Sequence, residues 1–451
     1  MRRRLVAGLL LTAVLGGCGT PDGQVPSGST TTAAPGAGWE QLAPSPLPPR
    51  GGAVLAPLGD GRLLVVGGDT SPGCHDTLVV PQEEPRDGTS SDDTTASGAS
   101  SGPAVISIST AATSTAAMSC VGPERETRLR DGGILDSATG TWKTIADAPA
   151  PLSDPTRPVV IDDVVYVWAW PSFVQGAPQE GVWMAYDVKA DSWKRLAPPP
   201  LGEDSYIGLV RSANQVIAVR GSEERGVLPD LVYDPASDTW SEMPRDPLSP
   251  SFDRFMVWTG REVVLLAHEL VPNPGADGPS LVRAAAFDPA TQQWRRMPDS
   301  EILGGYETWW WSGERVVNAV VNASDGGEAG NYGRPYPHGG MLDPTTGEWS
   351  TLPSGAPAAD CQDGNPSLGP DFGYHAAGPE TVVNDGLALH VKEARWEALP
   401  CNPDRADFAY ASTWAFDGVV TFGGYEAVAE PGQFPTDYRF KNDTWLWRPS
   451  S

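Results

Sequence analysis

Arg50, Arg157 and Arg254 are the residues in this 451-residue chain most suited to recognising a ligand. A guanidinium is planar, permanently charged and matched to carboxylate or phosphate, so a cluster of them is a candidate anion site. Tyr206, Tyr306 and Tyr374 stand at equivalent places, with Phe408 or Tyr410 completing the series. Their rings suit stacking on sugars or packing a peptide. A purely structural reading competes with this one. The arginines could pair with Asp154, Glu203, Asp204 and Asp253 and neutralise one surface, since structural ion pairs imitate functional clusters. Other chemistry is poorly supplied. His75, His268, His338, His375 and His390 form no close ligand cluster, and the chain has no Gly-x-Ser-x-Gly elbow, Cys-x-x-Cys pair, phosphate loop or EF-hand spacing. No catalytic residue, metal or cofactor is expected.

The N-terminus reads MRRRLVAGLLLTAVLGGCGT: arginines, a short apolar run, small residues and then Cys18. That layout predicts an export signal over residues 1–17, the run being too short for a spanning helix. Leu15-Gly16-Gly17-Cys18 resembles the lipobox of bacterial lipoproteins. The resemblance implies diacylglycerol on Cys18 and stable membrane attachment, since two or more acyl chains suffice. Residues 18–37, rich in Pro, Gly, Ser and Thr, then read as a flexible tether. The expected location is the extracytoplasmic face of a bacterial cell membrane.

Cys74, Cys120, Cys361 and Cys401 remain, an even number that in an exported chain predicts disulfides, with Cys74–Cys120 and Cys361–Cys401 preferred among three pairings. Loss of Arg2, Arg3 and Arg4 with the signal takes the formal charge from −26 to −29. Such acidity argues against nucleic acid as a partner and favours a soluble monomer.

A repeat must position the arginines. LDSATGTW, YDVKADSW, YDPASDTW, FDPATQQW and LDPTTGEW each place an Asp six residues before a Trp. Trp142, Trp193, Trp240, Trp294, Trp349 and Trp396 recur at intervals of 47–55 residues, the last with His390 in place of the Asp. A period near fifty with four short strands per unit predicts propeller blades. The Asp is expected to accept turn N–H bonds, and the Trp to open the outer strand and cover the neighbouring blade. In blade 3 the strands are expected at Ile207–Arg211, Gln215–Arg220, Leu231–Tyr233 and Trp240–Met243. Three strands near the C-terminus lack a fourth, which Trp39–Leu42 is expected to supply. The fold class is therefore an all-β, seven-bladed propeller over residues 38–451, closed by its N-terminal strand.

With Gly67-Gly68 and Gly423-Gly424 added to the Asp-to-Trp element, the chain resembles the kelch-repeat family over residues 38–447. Other enzymes on this or similar folds fit less well. Kelch-type copper oxidases need two His, two Tyr and a Cys for a thioether, whereas only Tyr374-His375 is suggestive and no unassigned Cys remains. A sialidase-like hydrolase would use an arginine triad, but the chain shows no identifiable Tyr nucleophile, and Thr139 stands where an Asp box needs Asp.

Loops joining second to third strands are long: Asp69–Asp131, Pro171–Val182, Gly221–Asp230, Glu269–Arg283, Asn322–Gly339 and Tyr425–Asn442. They and the inter-blade connections leave from one rim, the expected working face. The functional expectation is a membrane-anchored binding or scaffolding propeller that recognises a protein or cell-envelope glycan there. An exported glycan-active enzyme is the alternative. Trp309-Trp310-Trp311 and the Trp168/Trp170 pair are expected to pack between blades rather than to form a sugar platform.

Overall fold

The computed structural model describes residues 38–71, 127–152, 156–169, 181–201, 207–220, 228–271, 277–304, 309–321, 332–359, 374–404, 406, 410–428 and 437–450. The Asp-to-Trp motif is a hairpin, and its chemistry explains why it recurs. Asp136 accepts N–H bonds from Ala138 and Thr139 at 2.9 and 3.0 Å, and Asp187 and Asp343 do the same in their own turns. Four residues after the Asp the chain needs a left-handed residue, filled by Gly140, Asp191, Asp238, Gln292 and Gly347. The apolar residue before the Asp then lies directly across from the Trp, as in Tyr186↔Trp193, Tyr233↔Trp240 and Phe287↔Trp294. Ring centroids in these three pairs are 5.0–5.1 Å apart. Cross-strand aromatic pairs of this kind hold a sheet together.

Seven four-stranded antiparallel sheets result, each running outward in chain order except the last. In blade 3 the strands are Gly208–Ser212, Gln215–Val219, Leu231–Asp234 and Thr239–Glu242, within a residue or so of the positions expected from sequence. Second strands such as Arg62–Val66 and Val263–Glu269 are continuous apolar runs, because both faces of a blade are covered by its neighbours. The innermost strands touch one another in sequence around the ring, and the strand of blade 7 (Ala411–Ala415) meets that of blade 1 (Val54–Pro57). Each blade interface carries its own apolar core. Leu64, Val167 and Tyr186 mark the one between blades 1 and 2; Val65, Val420 and Phe422 mark the closing one.

Blade 7 is composite. Trp39–Gln41 pairs antiparallel with Thr444–Trp447 through Trp39↔Trp447, Glu40↔Leu446 and Gln41↔Trp445. A seam of indole hydrogen bonds joins the blades. Each outer-strand Trp donates its Nε1–H to a carbonyl just past the previous blade's outer strand. Trp193 reaches Ala146, Trp240 reaches Ala197, Trp294 reaches Pro244, Trp349 reaches Pro298 and Trp396 reaches Pro353, all at 2.8–2.9 Å. Trp142 to Ala43 and Trp39 to Pro400 carry the seam across the two termini at 2.9 and 2.6 Å. The expectation that Trp is an apolar cover was thus half of its role.

One expected loop is corrected. Tyr425–Asn442 contains a two-stranded ribbon, Tyr425–Val428 with Asp437–Phe440. Tyr425 packs against Tyr438 and Phe440 at 5.5 and 5.1 Å, and such aromatic pairs outweigh the Pro and Gly between the strands. The signal segment, Cys18, the tether and most of the Asp69–Asp131 loop lie outside the described residues.

Candidate functional site

The predicted arginines sit where the long-loop rim meets the inner strands, but they do different things. Arg50 is fully buried. Its guanidinium makes a bidentate pair with Asp131, both contacts 2.8 Å, and donates to the carbonyls of Gly67 and Pro48. Arg254 is spent in the same way, on Asp230 at 2.6 Å and Asp246 at 3.1 Å, with both carboxylates as buried as the arginine. Burial pushes the Asp230 carboxyl above the usual carboxylate range against the pull of Arg254. Neither guanidinium faces solvent, so neither is presented to a ligand as it stands.

For Arg50 and Arg254 the partners differ from the one expected acid that is described, Asp253. Asp131, Asp230 and Asp246 are the counter-ions. Asp253 turns instead toward His268, its Oδ2 lying 3.4 Å from Nδ1. A β-bulge between Phe252 and Phe255 accounts for this, with Asp253 in a left-handed conformation (φ 47°) that aims it and Arg254 at different neighbours. Asp154, Glu203 and Asp204 lie outside the described residues, as do Tyr206, Tyr306 and Phe408.

Arg157 alone of the three is exposed. It stands two residues before the inner strand of blade 2, Val159–Ile161. Its guanidinium carbon lies 3.8 Å from the ring centroid of Trp310 and 5.8 Å from that of Phe255. Trp310 belongs to the inner strand of blade 5 (Trp309–Trp311) and Phe255 to that of blade 4 (Ser251–Trp258). Blades 2 and 5 are not neighbours in the ring, so this stack crosses the central channel. Trp309 is core, as expected, at 2% exposure, and the half-buried Trp310 and Trp311 also pack against the cores between blades 5 and 6 and between blades 4 and 5; Trp310 receives the arginine as well. Trp168 is likewise core, and Trp170 lies outside the described residues.

Tyr374 is buried between blades 6 and 7, its ring 4.9 Å from Trp39 and 5.2 Å from Tyr410. It forms one wall of a recess with Tyr410, Asn402, Asp404, Lys441 and Trp445. The recess encloses about 250 Å³ including solvent, less than a site needs to engulf a drug-sized ligand. Lys441 is held there by Asp404 at 2.7 Å and by Glu426, and these two carboxylates raise its pKa against the opposing effect of burial. Sequence reasoning missed Asn402, Asp404 and Lys441, which lie in connections without a repeat signature.

Cys401 is exposed beside this recess; Cys74, Cys120 and Cys361 lie outside the described residues. Of the five histidines, His390 is buried and bonds Glu397 at 2.9 Å, and His375 bonds Asn384 at 2.8 Å. No group of three or more His, Cys, Asp or Glu able to hold a metal occurs among the described residues. In comparisons with known proteins, the chain matches no family model and no curated protein.

Proposed function

We propose that the protein is a lipid-tethered, extracytoplasmic binding or scaffolding propeller whose ligand, a protein or an envelope glycan, docks on the long-loop rim around the channel mouth. One observation carries this reading. Among the described residues at the mouth, the carboxylates Asp230 and Asp246 are buried on Arg254, and Asp131 pairs with Arg50. Two open carboxylates flanking a cleft would have favoured glycoside cleavage. What the rim offers is the exposed Arg157, the aromatic rings of Trp310 and Phe255, and loops carried on a rigid ring. Arg50 and Arg254 then serve the site by fixing its backbone, and Tyr374 by packing beneath the recess. Attachment through Cys18 and the Cys74–Cys120 and Cys361–Cys401 pairs belong to the same proposal, which fits the signal and lipobox residues.

Capture from envelope extracts tests the rim. The mature protein is compared with Arg157→Ala and with Lys189→Ala on the opposite rim. A protein or glycan captured alike by the parent and by Lys189→Ala, with capture changed by Arg157→Ala, supports the reading. A ligand lost only with Lys189→Ala, or turnover of a glycan by the pure protein, overturns it.

A further inference from the structure

We infer that the face of Trp310, with Phe255 beside it, is a receptor for a cationic group, a guanidinium or quaternary ammonium, occupied in the resting protein by the chain's own Arg157. Aromatic ring faces are electronegative, Trp most of all, and two or more rings around one cation form an aromatic cage. Here two rings from adjacent blades meet one guanidinium, 3.8 and 5.8 Å from its carbon. Both rings are fixed on inner strands, Trp309–Trp311 and Ser251–Trp258. Arg157, itself exposed, comes from elsewhere, two residues before the inner strand of blade 2. The receptor is therefore built without Arg157, which reaches into it from across the channel.

Two further features agree. The indole Nε1 of Trp310 is shielded from water and has no hydrogen-bond partner among the described residues, so the ring presents its face rather than its polar edge. The chain's formal charge of −26 also draws cations toward the surface. An incoming cation must displace a tethered competitor. If Arg157 fills the cage about nine-tenths of the time, apparent affinity falls about tenfold, and removing Arg157 restores it.

The inference rests on the reading that the rim binds ligands, yet the two can fail separately. The mature protein is titrated with tetramethylammonium and with N-acetylarginine amide at low ionic strength, sodium acetate serving as the anionic probe. Arg157→Ala and Arg157→Gln should bind both cations about tenfold tighter than the parent. Trp310→Leu placed on Arg157→Ala should abolish binding, and Trp310→Phe should keep most of it. Should Trp310→Leu melt early, Phe255→Leu supplies the second ring deletion and should weaken binding. Equal cation binding by parent and Arg157→Ala, or none by either, overturns the inference. So does acetate binding by the parent that Arg157→Ala loses, because that makes Arg157 an anion receptor. An envelope ligand captured equally with and without Trp310 removes this inference and leaves the rim reading standing. A cage that binds while nothing is captured does the reverse.

Discussion

Arg254 shows how a residue can look functional and be structural. Its charge is buried between two carboxylates, and desolvated charges are tolerated only when paired. Replacing Arg254 by Leu leaves Asp230 and Asp246 facing each other without a cation, and should lower unfolding free energy by about 3–5 kcal/mol in denaturant titrations. Neutralising the site together, with Asp230→Asn and Asp246→Asn added, should recover part of that loss. Asp238 makes the complementary case. The N–H of Ala197, then the Tyr233 hydroxyl and Lys194, hold its carboxyl down at about 2. The folded value lies below that of an unfolded Asp, ~3.9, so its stabilisation is complete above ~pH 4 and is lost as pH falls toward 2. Asp238→Asn should therefore melt lower than the parent at pH 6, with the gap narrowing between pH 4 and 2. Sequence could place both residues in turns or at strand starts, but not choose their partners. Asp131 and Asp230 come from the ends of long loops, and Asp253 is diverted by a bulge that no spacing announces.

Among the elements, the hairpin between third and fourth strands was the most legible, because every part of its function lies within eight residues: turn-capping Asp, left-handed fifth residue and cross-strand Trp. The blade-6 copy kept its fold without the Asp. His390 there pairs across to Arg395 in register and bonds Glu397, so the cross-strand frame survives a changed turn residue. Less legible was the seam, since the carbonyl each indole meets belongs to the preceding blade. Trp294 separates the two roles of the motif. Trp294→Phe keeps the ring against Phe287 and loses the 2.8 Å bond to Pro244, which should cost about 1 kcal/mol. Trp294→Ala loses both and should cost on the order of 3 kcal/mol. Equal losses in equilibrium unfolding would show the hydrogen bond to be the larger part and the packing to be dispensable. The ribbon Tyr425–Phe440 is hard to see in the sequence because the Pro and Gly between its strands signal a loop more strongly than the alternating aromatics signal the pairing.

At the scale of the molecule, ring closure depends on three residues next to the segment expected to carry the membrane tether. Trp39–Gln41 supplies the outer strand of blade 7, and Trp39 completes the indole seam through Pro400 while packing on Tyr374 beneath the rim recess. Closure and one wall of the candidate recess therefore meet at one junction. Deleting residues up to 42 should leave Thr444–Trp447 as an exposed edge strand, a template for association. The truncated protein should melt well below the parent and elute as oligomers in size-exclusion chromatography. Trp39→Phe should stay monomeric with a smaller loss, because strand pairing survives and the indole bond alone is gone. A truncated protein that stayed monomeric with an unchanged melting temperature would show that apolar cores between the blades suffice to hold the ring. Loss of monomeric behaviour on truncation would instead mean that the N-terminal strand locks the propeller shut, so that the candidate rim is complete only when Trp39–Gln41 and Thr444–Trp447 are paired.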